Sequence, residues 1–253
     1  MLKMQKRITS KHVAILFCLV ICFVSCAHKS GHRRDRERPG TTMAGRSNGK
    51  SSRSTARKSK IVNKRSSNKL EGSQIFDRYG SAVFMVFTTD GSNTYQGSGF
   101  FIDNGGLAVS NYHVFKGTGM GLEQIKLAGS DVAYKVTEII TRSEDEDFIL
   151  FRVDCENNNY IPIATEKPKI GEKVYAIGSP RGLENTFSSG EVSQWRADNL
   201  MQISALIDHG SSGGALINEY GEVVGITSGS FADGSQANLN YAWSIDIVKP
   251  YLR

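Results

Sequence analysis

Four cysteines and five histidines are few for 253 residues, and where they stand excludes more than their number does. Cys18, Cys22 and Cys26 lie in or beside one N-terminal apolar run, which leaves Cys155 alone in the body of the chain. A disulfide framework needs an even set of cysteines within the folded part, so neither a stapled mini-domain nor an intramolecular disulfide is expected. Cys155 follows a strand-like segment and reads as a partly buried structural thiol. Long apolar runs are missing as well. The stretch from Val13 to Val24 is twelve residues, the length of a secretory core and short for a helix that crosses a bilayer. No repeat of solenoid period is present. The acidic run Glu144-Asp145-Glu146-Asp147 fits no calcium-loop spacing, and no metal or organic cofactor is implied.

The net charge of +6 conceals two different materials. Residues 1–70 carry 18 basic and 2 acidic side chains, a balance of +16, whereas residues 71–253 carry 13 and 23, a balance of −10. The basic pI therefore gives no reason to expect nucleic-acid binding by the folded part. Hydrophobic residues make up 39% of the chain, enough to build a core, which excludes a wholly disordered protein.

Lys3, Lys6, Arg7 and Lys11 precede the apolar run, which closes on Phe23-Val24-Ser25-Cys26. This resembles a bacterial lipoprotein signal, in which a small residue precedes a cysteine that is lipidated and becomes the new N-terminus. Cys26 is the lipidation candidate, although Phe23 stands where Leu is commonest. Ordinary secretory cleavage or an uncleaved anchor are the alternatives, and each exports the domain, into the bacterial cell envelope or beyond it. Residues 27–70 hold almost no large apolar side chains, so burial cannot offset the entropy of ordering them. As a flexible tether of 44 residues this segment reaches about 35–40 Å by random-coil scaling. It is either a solvated leash or a polycationic segment that lies on anionic lipid or another envelope polyanion.

From residue 71 the pattern shifts to short strand-like runs punctuated by Gly, Asn and Asp. Six runs fall between Ala82 and Val153, and six more between Lys173 and Ile245, with a linker around Cys155–Ile170. Helical turns are expected near Gln74–Arg78 and over Asp246–Leu252. The expected fold is all-β: two six-stranded antiparallel β-barrels, about residues 71–155 and 171–253, with a short C-terminal helix.

The string Gly210-Ser211-Ser212-Gly213-Gly214 satisfies the G-x-S-x-G elbow of α/β-hydrolases. That fold needs its acid and then its histidine downstream of the serine, and no histidine follows His209. A serine hydroxyl needs an adjacent base to take its proton, and only His113 and His209 stand outside the signal and tether. His209 is three residues from Ser212 in the same tight loop and flanks the site rather than serving as its base. His113 sits at the end of a strand-like run. Asp147 immediately precedes the apolar Phe148-Ile149-Leu150-Phe151 and is the orienting acid, with Asp145 as the alternative.

The order His113, Asp147, Ser212 is that of chymotrypsin-fold proteases. The motifs around it resemble the HtrA/Deg branch of the trypsin-like serine proteases. Gly97-Ser98-Gly99-Phe100-Phe101-Ile102, Asn111-Tyr112-His113-Val114 and Asp147 are similar to that branch's first barrel. Val174-Tyr175-Ala176-Ile177-Gly178-Ser179-Pro180, Ser189-Gly190-Glu191-Val192-Ser193, Gly210 to Leu216 and Asn240 to Ile245 are similar to its second. The resemblance implies that His113 is general base and then general acid, that Asp147 orients it, and that Ser212 forms the acyl-enzyme. It implies an oxyanion hole made by the backbone N–H groups of Gly210 and Ser212. Leu206, Ile207 and His209 would wall the primary pocket. Leu206 stands where basic-specific relatives keep an acid, which favours small or medium apolar substrate side chains.

Departures from the family matter as much. Ser211 replaces the usual Asn, and it offers no carboxylate to an amine newly cut at Lys60-Ile61-Val62, so zymogen activation is not expected. Asp208 and His209 replace the usual Asn and Pro or Arg. The chain ends soon after its last helical turn, so no C-terminal PDZ domain is expected, and the short loop between the first two strands argues against a large oligomeric cage. The expected activity is that of a serine endopeptidase, acting on polypeptides, unfolded or damaged, in the envelope. A silent or tightly regulated protease-fold module that binds polypeptides there is the alternative.

Overall fold

The computed structural model describes residues 68–118, 121–156, 158–230 and 239–252. The apolar N-terminal run, Cys26 and the basic tether up to residue 67 lie outside the described residues.

Runs rich in Val, Ile, Phe and Thr suit a pleated, half-buried surface, and twelve of them form strands. The first barrel holds β1 (Val83–Thr89), β2 (Thr94–Phe101), β3 (Leu107–Ser110), β4 (Gln124–Leu127), β5 (Ala133–Ser143) and β6 (Phe148–Val153). The second holds β7 (Lys173–Gly178), β8 (Thr186–Ala197), β9 (Leu200–Ile203), β10 (Ala215–Asn218), β11 (Val223–Ser230) and β12 (Asn240–Ser244). Both are closed and antiparallel, ordered β1-β2-β3-β6-β5-β4 and β7-β8-β9-β12-β11-β10. Counted from its own first strand, each barrel has the same order. Closure leaves no unpaired sheet edge. Two six-stranded barrels are the architecture expected from the sequence.

Three apolar clusters follow from this closure. Phe84, Phe101, Phe115 and Phe151 fill the first barrel, with Cys155 at its margin. Val174, Val192, Met201 and Leu216 fill the second with slimmer side chains. Between the barrels lies a third cluster, in which Phe100, Phe148 and Leu150 of the first meet Tyr175, Ile177 and Ile217 of the second. Each such fully buried side chain contributes about 1.5–3 kcal/mol, so the cleft between the barrels has an apolar floor.

The segments flanking the two barrels cross over this floor. Helix α1 (Gly72–Tyr79), started by a capping box between Glu71 and Gln74, precedes the first barrel but packs on the second. Its Phe76 meets Phe187 edge-on with ring centroids 6.0 Å apart. The C-terminal segment is not one helix but two 3-10 turns, Ile245–Ile247 and Lys249–Tyr251. A continuous α-helix would require an N–H from Pro250, which has none. Tyr251 then reaches back to Phe148 of the first barrel, with centroids 5.9 Å apart. Among the described residues no helix is long and apolar enough to cross a membrane, and no group of three side chains could hold a metal.

Candidate active site

The first barrel builds one wall of the cleft. After β3, Asn111 in extended conformation caps a single helical turn, α2 (Tyr112–Phe115), whose Val114 and Phe115 are buried. Anchoring those two turns His113 outward, with its side chain 46% exposed. His113 is therefore on a helical turn just beyond the strand, not on the strand itself.

Asp147 meets it from the turn before β6. Its backbone lies in the left-handed region at φ 45°, a conformation that costs a non-glycine residue about 1–3 kcal/mol unless its surroundings hold it. Here they do. The Asn111 side-chain amide donates to the Asp147 carbonyl at 2.8 Å, and the His113 backbone N–H donates to the Asp147 Oδ1 at 2.9 Å. The His113 ring Nδ1 lies 2.8 Å from Oδ2 and 3.0 Å from Oδ1. A carboxylate only accepts, so Nδ1 carries the proton in this contact, which leaves Nε2 as the ring nitrogen able to serve as a base. The Ser228 hydroxyl, on β11, donates to Oδ2 at 2.8 Å. Of the neighbouring acids, Glu144 pairs with Lys116 and Glu146 accepts from the Asn199 side-chain amide. Asp145, the alternative acid, makes no hydrogen bond to His113 among the described residues.

The second barrel supplies the loop before β10. Its carbonyls are committed one after another: Asp208 accepts from the Ser211 N–H at 2.9 Å, and His209 from the Arg181 N–H at 2.8 Å. Gly210 accepts from the Ser98 hydroxyl at 2.7 Å, and Ser211 from the Thr227 hydroxyl at 2.7 Å. Ser212 accepts from the Ser98 N–H at 2.8 Å. Gly210 sits at φ 94° and Gly213 at φ 88°, and a Cβ on Gly210 would lie 2.6 Å from the Gln96 Oε1. Only glycine takes these turns without strain. Among the described residues, the N–H groups of Gly210 and Ser212 donate to no acceptor. Two donors are thus left unspent beside Ser212.

One cavity of about 220 Å³ brings these walls together, lined by His113, Ser212, Ser228, Gly229, Ile207, Asp208 and His209. Ser212 Oγ makes no hydrogen bond to His113 among the described residues, and catalytic contacts of this kind commonly tighten only in the substrate complex. Chemically, the arrangement can pull a proton from a serine hydroxyl and receive negative charge at two backbone donors. The expected pocket residues separate. Ile207 and His209 line the Ser212 cavity, whereas Leu206, 69% exposed, lines a larger neighbouring cavity of about 460 Å³ that Ile207, Asp208 and Ser211 also border. In the sequence, the one signal of Ser228 and Thr227 is a polar side chain within an apolar strand, and Ser98 stands out only as part of the Gly97-Ser98-Gly99 motif.

Comparison with known proteins accords with this geometry. The chain is 28% identical over 180 residues to Protease Do-like 1, chloroplastic, of Arabidopsis thaliana, covering 64% of this chain and 40% of that one. It is 32% identical over 161 residues to a probable periplasmic serine endoprotease DegP-like of Halomonas elongata, covering 60% and 33%. The crystal structure of the serine endoprotease from Yersinia pestis matches with a TM-score of 0.64 at 26% identity, covering 71% of this chain and 64% of that one. The chain thus spans about a third to two fifths of the length of these two curated relatives. The family model of the trypsin-like peptidase domain matches residues 97–226, from the strand that carries Ser98 to the strand that carries Thr227. That match takes in just over half of the sequence, and the chain belongs to the trypsin-like peptidase domain family.

Proposed function

We propose that this protein is a serine endopeptidase in which Ser212 is the nucleophile, His113 the general base and then general acid, and Asp147 the group that orients His113. The observation that carries the reading is the His113–Asp147 pair facing Ser212 across one cavity, beside two unspent N–H groups. Ser212 Oγ adds to the scissile carbonyl carbon while His113 Nε2 takes the hydroxyl proton. The carbonyl oxygen becomes an oxyanion that the Gly210 and Ser212 N–H groups stabilise, each worth about 3–4 kcal/mol in the transition state. His113 passes its proton to the departing amine, leaving an acyl-Ser212. Water then adds to the acyl carbon as His113 Nε2 takes its proton, and the second intermediate collapses with that proton passing to Ser212 Oγ, which breaks the acyl bond, releases the new carboxylic acid and restores the site. Asp147 holds the ring by its Nδ1–H and stabilises the imidazolium that forms.

The basic, apolar and Cys26 sequence at the N-terminus, with the periplasmic label on DegP-like relatives, supports export to the cell envelope. Anchoring through a lipidated Cys26, a tether that touches anionic surfaces, and unfolded or damaged polypeptides as substrates complete the proposal. The test is a fluorophosphonate probe on the full chain, wild type and Ser212→Ala, read by intact mass. One adduct on the wild type and none on the variant is expected. Equal labelling of both proteins sinks the assignment of Ser212, and no labelling of either, even with unfolded protein present, replaces the enzyme with a polypeptide-binding module.

A further inference from the structure

Arg181 has a long, unbranched side chain at a place that suits glycine. It lies in the turn after β7 at φ 53°, followed by Gly182 at φ 73°. A left-handed pair of residues is ordinarily filled by Gly or Asn, because a Cβ there crowds the following carbonyl. The backbone of the turn is held by its own bonds: Gly182 N–H donates to the Gln96 Oε1 at 3.1 Å and Leu183 N–H to the Pro180 carbonyl at 2.8 Å. Nothing in the turn itself calls for arginine.

The side chain finds its use on the neighbouring loop of the same barrel. Its Nε donates to the Asp208 Oδ2 at 2.8 Å, and the Asp208 Oδ1 accepts the His209 backbone N–H at 2.7 Å. The Arg181 backbone N–H meanwhile donates to the His209 carbonyl at 2.8 Å. One residue therefore grips His209 on both sides, at its carbonyl directly and at its N–H through the Asp208 carboxylate. The carbonyl of His209 and the N–H of Gly210 belong to one planar trans peptide and point in opposite directions. Drawing that carbonyl toward Arg181 turns the Gly210 N–H away from it. The Asp208 carboxyl is held below the usual carboxylate range, by the His209 N–H first and the Arg181 guanidinium next, so the acceptor is anionic at neutral pH.

We propose that Arg181 is a positioning residue for the oxyanion hole, clasping Asp208 and His209 so that the Gly210 N–H is aimed at the reacting carbonyl. The inference rests on the serine endopeptidase reading. Both partners are substantially exposed, Arg181 at 71% and Asp208 at 46%, so the ionic part of the clasp is weak and responsive to salt. It biases the loop by up to about fivefold and leaves the fold intact.

The experiment compares full-length wild type, Arg181→Gly, Asp208→Asn and the double variant. Glycine relieves the left-handed backbone, so Arg181→Gly is expected to melt no lower than wild type while its kcat on a peptide falls about fivefold, with KM changed less than twofold. The double variant falls no further than the worse single one, because both remove the same clasp. Raising salt from about 0.1 M to 1 M narrows the gap between wild type and Arg181→Gly. Amide hydrogen exchange at His209, which needs no chemistry, rises several-fold in Arg181→Gly. Unchanged exchange at His209, or wild-type kcat in Arg181→Gly, overturns the clasp while a labelled wild type leaves the peptidase reading standing. A wild type that never takes the probe overturns the peptidase reading and the role proposed for Arg181 with it.

Discussion

The two walls of the cleft are held by different kinds of bond. On the first barrel, Asp147 is only 17% exposed, its carboxylate takes hydrogen bonds from the His113 ring, the His113 backbone and Ser228, and the strand behind it opens on four buried residues, Phe148 to Phe151. On the second barrel, the Ser212 loop is shaped by donors reaching in from elsewhere: Ser98 from the first barrel, Thr227 from β11 and Arg181 from the turn after β7. The base is fixed by what lies under it. The nucleophile loop depends on what lies beside it, and such segments sit at the less stable end of a structure. Damage to the first wall should therefore remove chemistry outright, and damage to the supports of the second should misaim a hole that still exists.

The largest effect tests the first wall. Asp147→Asn keeps the shape but sets an amide where the His113 Nδ1–H needs an acceptor, and a change of this kind elsewhere lowers kcat by about 10⁴. The same loss is expected here, with KM little altered. A loss of less than tenfold would mean that this wall is not the rigid, decisive one. Ser98→Ala comes next and attacks the second wall. The Ser98 hydroxyl accepts the Ser179 N–H at 2.8 Å and donates to the Gly210 carbonyl at 2.7 Å, so its removal strands a buried N–H and frees the glycine peptide. Stranding one buried donor costs about 1–3 kcal/mol, or about 2–4 °C of Tm for each kcal/mol in a domain of this size. A kcat reduced about tenfold with a modestly lower Tm is expected from steady-state kinetics and thermal melting. Full activity at the lower Tm would show that the loop holds its form without Ser98.

What the sequence carries of this follows the same division. The barrels were legible because strand-like runs recur in two sets of six with turn residues between them. His113 and Ser212 were legible from chain order, since too few histidines exist to permit other assignments. The single helical turn under His113 was not, because four residues carry no period. Packing of α1 on the far barrel was not legible either, since Phe76 and Phe187 are distant in sequence. Ser228 lies 81 residues from Asp147, and Ser98 lies 112 from Gly210. Polar supports of this sort are single side chains joined only by the closure of both barrels, and no local pattern announces them. Leu206 is read from position alone: its place before the serine suggests a pocket wall, and it lines the larger cavity, which shares Ile207 and Asp208 with the one at Ser212.

Ser228→Ala sharpens the comparison at smaller scale. It removes one of several donors to the Asp147 carboxylate, and a hydrogen bond to a charged group contributes about 1.5–3 kcal/mol. The His113 ring and backbone bonds remain, so only part of that should reach the transition state. A two- to tenfold fall in kcat is expected, with Tm lowered by about 2–4 °C for each kcal/mol of that bond lost. A fall as deep as that of Asp147→Asn would make Ser228 an equal member of the site rather than a support.

The smallest expected effect is at Cys155, and it asks whether the first barrel opens at all. The thiol is 8% exposed and sits in the same cluster as Phe84 and Phe151. Burial first, and the adjacent Asp154 carboxylate second, push its pKa above the ordinary thiol value. A raised pKa means less thiolate at any pH below it, and the thiolate is the reactive form. Iodoacetamide at pH 8 should therefore leave Cys155 of the native protein almost unlabelled and the activity unchanged over the time in which the denatured chain is labelled fully. Rapid native labelling would reveal frequent opening of the barrel that carries His113 and Asp147. The contrast between a fixed base and an adjustable nucleophile loop would then have to be given up, because both walls would be moving.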